Sequence, residues 1–158
     1  MATILKKDPA KGNGPKSIVA YVETTARVVL GITFTVMGLN GFVSFLPSSP
    51  VPAAATAFFG ALFQTGYMIQ LIMGTQLVAG ILLLSNRFVP LALALLAPVV
   101  VNIIAFHAFL VPSGLPSALV MLTLEFYLAW TYRNAYRPML AMRSHRARPS
   151  GRTSSEEA

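Results

Sequence analysis

The sequence predicts an all-α protein: a four-helix transmembrane bundle with a short interfacial or re-entrant helix between spans 1 and 2. Three observations predict it. Four apolar runs, Ile18–Leu46, Tyr67–Ser85, Phe88–Leu110 and Leu115–Tyr132, are each near the ~20 residues that cross ~30 Å of hydrocarbon as helix. Only 11% of the 158 residues are charged, against roughly a quarter in a soluble domain, and mean hydropathy is +0.66. The basic residues also alternate along the chain. They occupy the N-terminal arm (Lys6, Lys7, Lys11, Lys16), Arg27, Arg87 and the stretch from Arg133 to Arg152. The connections Leu46–Gly66 and Val111–Pro116 hold no Lys, Arg, Asp or Glu. That is the positive-inside pattern of four spans with both termini cytoplasmic. The net charge of +7 is thus a topology signal with attraction to anionic lipid, and nucleic acid is not an expected partner.

Residues 1–17, "MATILKKDPAKGNGPKS", read as a disordered basic arm, punctuated by Gly and Pro. The transmembrane domain is expected over 18–132. Helix 1 carries Glu23 and Arg27 at i,i+4, the spacing of an interfacial ion pair. Gly31, Thr35 and Gly38 form a small-residue stripe that lets another helix approach closely. "PSSPVPAA" ends the helix. The segment "VPAAATA" looks like a signal cleavage region, but the preceding run is too long for a signal core and contains Glu23 and Arg27, so helix 1 reads as uncleaved.

The segment 53–64, "AAATAFFGALFQ", is too short to span and fits an interfacial or re-entrant piece. Helix 2 runs from Tyr67 to "SNR", and the short "SNRF" link predicts a tight antiparallel hairpin with helix 3. Pro90 suits a first helical turn. Pro98, inside helix 3, should bend it and free the Ala94 carbonyl. "VPSGLPS" turns into helix 4. Trp130, Tyr132 and Tyr136, interleaved with Arg133 and Arg137, mark a headgroup belt. Residues 133–158 read as a basic, largely disordered tail. No internal repeat is evident, which argues against an inverted-repeat transporter.

Polar residues inside these runs are the candidate functional groups. At ~1.5 Å per residue, Gln76, Asn102 and Glu125 all lie roughly 12–14 Å below the outer face, and Asn40, Gln70 and His107 roughly 4–9 Å. Such groups are costly in lipid and are expected to face the interior. Glu125 is the costliest; it should be neutral or strongly hydrogen-bonded, with Gln76 and Asn102 supplying amides at its level. As interhelical glue, that layer predicts little effect for Glu125→Gln and a cost of about 1–2 kcal/mol for Glu125→Leu. Asn102 and His107 are ~140° apart around helix 3 at 100° per residue and do not share a narrow face. His107 is read first as hydrogen-bonded to Asn40, Gln70 or the outer loop. Contact with a quinone carbonyl or other ligand comes second, and axial ligation of a haem or chlorin pigment third.

The absence of cysteine removes disulfides, iron–sulfur clusters and cysteine zinc sites. No nucleophile triad, paired-carboxylate site, phosphate loop or metal cluster is legible, so hydrolytic or metal-assisted catalysis by this chain alone is not expected. No cofactor is encoded by a clear motif; a bound quinone, pigment or lipid fits the composition.

Over residues 24–137 the chain resembles the DoxX family of small four-helix integral membrane proteins. The resemblance rests on "RVVLGITFTVMGLNGFVSFLP", "GTQLVAGILLLSNRFVPLAL", "APVVVNIIAFH" and "LEFYLAWTYRNAYRP", in that order. Members are similar to the membrane subunit of thiosulfate–quinone oxidoreductase, and others are linked to membrane oxidoreductase assemblies. The resemblance implies the bacterial inner membrane. Where the family's helix 2 pattern often carries an acidic residue, this chain has Gln76, an amide that exchanges no proton in the physiological range. Three functions are expected, in order: a non-catalytic accessory subunit of a larger membrane electron-transfer complex, respiratory or photosynthetic, partnered by lipid and other membrane subunits; a quinone-interacting subunit using His107, Asn102 and Glu125; and a small carrier of lipid or another apolar ligand.

Overall fold

The computed structural model describes residues 15–47 and 50–140. Its elements are α1 (Pro15–Val43), α2 (Ala53–Gln64), α3 (Met68–Leu84), α4 (Val89–Phe109), a 3₁₀ turn at Pro112–Gly114, α5 (Leu115–Thr131) and α6 (Arg133–Leu140). There is no strand among the described residues. Three stretches are helical, long and apolar enough to cross a membrane: Ser17–Val43, Val89–Phe109 and Pro112–Thr131. A fourth crossing is made if α2 and α3, which meet at 95°, count as one broken span. Alone, α3 has 17 residues and rises about 25 Å.

Most of the segment read as a basic arm lies outside the described residues, but Pro15–Ser17 already form the first turn of α1. Of the segment read as a disordered tail, Arg133–Leu140 is the helix α6, and 141–158 lie outside the described residues.

α1 packs against α3 and α5, α3 against α4, and α4 against α5. The α1–α3 seam is the closest, and glycine makes it so. A Cβ on Gly38 would sit 2.5 Å from the Leu77 backbone N and 2.7 Å from the Met73 carbonyl O; one on Gly80 would sit 2.5 Å from Thr35 N. Gly31 faces Leu84 in the same seam. Thr35 completes the stripe, its buried Oγ1 without a hydrogen-bond partner among the described residues.

The dense core lies toward the end of the molecule that carries α6. Leu30 and Phe34 of α1, Leu83 of α3, Leu93 and Leu96 of α4 and Leu128 of α5 are enclosed there. Outward, large apolar side chains dominate the exposed surface, Phe109, Phe88, Phe126 and Val101 among them, a surface compatible with contact to lipid rather than water.

Three polar tethers clamp the α6 end, and they overturn one sequence expectation. No ion pair joins Glu23 to Arg27. Arg27, buried, donates through Nη1 to the Leu83 carbonyl. That carbonyl lies in the last turn of α3, where the helix dipole attracts a cation, and it also accepts the Asn86 N–H at 3.2 Å. Glu23 Oε1 instead accepts a bond from the Tyr132 hydroxyl at 2.6 Å. Each member of the anticipated pair therefore bonds to a different part of the chain, Arg27 to α3 and Glu23 to Tyr132 at the end of α5. Tyr136 donates to the Pro90 carbonyl at 2.9 Å, tying α6 to the first turn of α4. Tyr132 and Tyr136 thus turn inward as tethers. Only Trp130, exposed and covered by the Arg133 guanidinium at 5.3 Å, keeps the arrangement expected of an interfacial belt.

Candidate functional site

The end of the molecule opposite α6 is hollow. A cavity of about 370 Å³ lies between α2 and the ends of α1, α3, α4 and α5. Its position follows from the bend between α2 and α3. The short helix lies across the long ones instead of continuing α3, burying only Ala55 fully. Phe58 and Phe59 reach from α2 to Phe106 of α4, with ring centroids 5.7 and 5.2 Å apart. These three rings and the flexible side chains of Met37, Met73 and Met121 give the cavity an apolar, adaptable wall.

Four of the six polar residues singled out from the sequence line this one cavity: Asn40, Gln76, Asn102 and His107. Two of them are partly committed to the fold. Asn40 Oδ1 accepts the Leu46 N–H at 2.7 Å, closing the C-terminus of α1. His107 Nδ1 lies 3.2 Å from the Val111 carbonyl in the α4–α5 turn. A carbonyl only accepts, so Nδ1 is the donor in this contact. The imidazole also lies against Gly114, where any Cβ would collide with it. The two remaining amides are uncommitted. Gln76, at 6% exposure, makes no hydrogen bond among the described residues. Asn102 makes none either and is exposed while lining the cavity, which puts it at an opening.

The other two candidates go elsewhere. Gln70 is exposed and does not line the cavity. Glu125 is buried but lines a separate cleft between α4, α5 and α6, so it forms no layer with Gln76 and Asn102. None of these three side chains bonds to another, which corrects the reading of them as mutual glue. Counting residues along each helix assigns them one depth, but the fold turns Glu125 of α5 into the other cleft.

Sequence reasoning missed the aromatic wall and the polar tethers. The pair Phe58–Phe59 was visible in an apolar segment, but the partner Phe106 is 47 residues away and only the α2–α3 bend brings it near. Among the described residues no group of three or more His, Cys, Asp or Glu is placed to hold a metal ion.

Geometrically this is an all-helical protein with three to four helices fit to cross a membrane and an apolar cavity at one end, furnished with two free amides and an imidazole. Comparison with protein-family models, curated proteins and solved structures finds no match to this chain.

Proposed function

We propose that the chain is a four-span protein of a bacterial inner membrane, similar to the DoxX family, and that it binds a small apolar molecule of the quinone class in the cavity beneath α2. The observation that carries this reading is Gln76, buried, without a hydrogen-bond partner and lining an apolar cavity. A ligand with a matching polar group gives this amide the hydrogen bonds that the described residues do not. Amides suit a quinone because their N–H₂ donates to a ring carbonyl and their C=O accepts from the hydroxyl of the reduced form. Asn102 offers the same pair of groups, and the His107 imidazole lines the same cavity. Phe58, Phe59 and Phe106 supply faces and edges for a flat ring.

Gln76 and Asn102 exchange no proton, and the chain contains no cysteine, so the reading assigns electron transfer to a partner subunit of a larger membrane complex. The cavity favours ligand binding over a role limited to filling space in such a complex.

Binding of decylubiquinone to the purified protein in lipid nanodiscs, measured by equilibrium dialysis, tests the proposal. Saturable binding is expected, weakened about tenfold in Gln76→Leu, the equivalent of one lost hydrogen bond of about 1.4 kcal/mol. Partitioning into lipid without saturation, or equal affinity in the two proteins, refutes it.

A further inference from the structure

The second cleft has a chemistry of its own. It measures about 340 Å³ and runs along α4 and α5 beneath α6. Small side chains hollow it, Ala94 and Ala97 on α4 and Ala129 on α5. Val101 and Phe126 at its walls are 64% and 67% exposed, so it opens sideways toward the apolar surroundings of the helices.

Into this apolar cleft the fold puts a carboxyl group. Glu125 is 6% exposed and lines the cleft, and its Oε1 is enclosed with no hydrogen-bond partner among the described residues. On the facing helix, Pro98 has no N–H to donate to the carbonyl of Ala94, a residue that lines the same cleft. The remaining polar group, the Tyr136 hydroxyl, already donates to Pro90. Among the described residues that line it there is no Lys, Arg, His or side-chain amide. Arg133, on the adjoining helix, is occupied over the Trp130 ring and on the Trp130 carbonyl. Among the described residues the cleft thus presents an acidic group and hydrocarbon walls, with no cationic side chain.

We infer that this cleft is a binding site for an amphiphilic amine, with the amine head on Glu125 and its alkyl body along the alanine-lined groove. An amine head supplies what the Glu125 carboxyl lacks, N–H donors and positive charge, and a charged donor on a carboxylate is among the stronger hydrogen bonds available. An acid or an anionic lipid head would bring further acceptors against the same oxygens. The inference is independent of the quinone reading, since the two cavities share no residue.

The protein carries its own reporter. Trp130, the single tryptophan, stacks on Phe126 of the cleft wall with centroids 6.3 Å apart. Quenching of its fluorescence by 11-bromoundecylamine, with 11-bromoundecanol as the neutral comparison, reads occupancy of the cleft in nanodiscs. Saturable quenching by the amine is expected at concentrations at least tenfold below those the alcohol requires. In Glu125→Gln that preference should vanish. Ala94→Phe, a substitution on the open wall, should abolish saturable quenching by filling the groove, and it provides the test if Glu125→Gln fails to elute as a folded species. Equal quenching by amine and alcohol would mark an acyl-chain groove and overturn the assignment. An undiminished preference in Glu125→Gln, or saturable quenching that survives Ala94→Phe, would overturn it as well.

Discussion

Replacing Gly38 with alanine adds one methyl group where the fold has no room for it. The new Cβ would lie 2.5, 2.7 and 2.8 Å from Leu77 N, Met73 O and Leu77 Cα. All three are backbone atoms of α3, which cannot swing aside as a side chain does. The shortest contact falls about 1 Å inside ordinary van der Waals distance, so α1 and α3 must part by about that much. A gap of that size forfeits a quarter to a half of each dispersion contact along the seam, where Gly80 and Thr35 are equally close. Overpacking of this kind costs typically 1–3 kcal/mol, and a backbone collision belongs at the upper end. Gly60, in α2, is the internal control. A Cβ there meets nothing within 4 Å, so Gly60→Ala should stabilise by about 0.5–1 kcal/mol through helix propensity alone. Reversible unfolding in mixed micelles, followed by circular dichroism, measures both. The reasoning is refuted if Gly38→Ala unfolds at the same denaturant fraction as the parent chain, or if both substitutions shift it in the same direction.

Glu125→Leu should raise stability by about 1–2 kcal/mol in the ligand-free protein, because it removes a buried carboxyl without partners rather than breaking a polar layer; a loss measured in the same unfolding assay would reveal a partner the geometry does not contain. Tyr136→Phe should cost about 0.5–1.5 kcal/mol, the worth of the bond to Pro90. Burial, with the charge of Glu125 adding to it, pushes the Tyr136 phenol above its usual value, so the neutral form is favoured in the fold. Its contribution is complete below the unfolded tyrosine value of about 10 and declines as pH rises beyond it, and that part of the alkaline decline should be missing from the Phe variant's stability–pH profile. Because the chain is free of cysteine, single substitutions report topology cleanly: with both termini cytoplasmic, an impermeant maleimide should label Ser113→Cys from outside intact cells and leave Asn86→Cys untouched, and the reverse pattern would invert the proposed orientation.

The helices and their apolar exteriors were legible in the sequence because both are local properties. A run without charge satisfies its backbone internally wherever it is placed, and "PSSPVP", "SNRF" and "VPSG" interrupt the runs whatever packs beside them. Polar residues within those runs were also conspicuous, since each is expensive against hydrocarbon. Their grouping was not. A rise of 1.5 Å per residue orders positions along an axis but says nothing of which way each helix is turned about it. Gln76 and Asn102 meet one cavity while Glu125, assigned the same depth by residue count, faces another. The same holds for Glu23 and Arg27, whose i,i+4 spacing invites a pair until α3 and α5 arrive with a carbonyl and a hydroxyl. What decides these cases is the contact between helices distant in sequence: the glycine seam that draws α1 against α3, and the 95° bend that lays α2 across the open end. The small-residue stripe on α1 announced that some helix would come close; only the folded chain, with Gly80 opposite Thr35, determines which one and at what rotation.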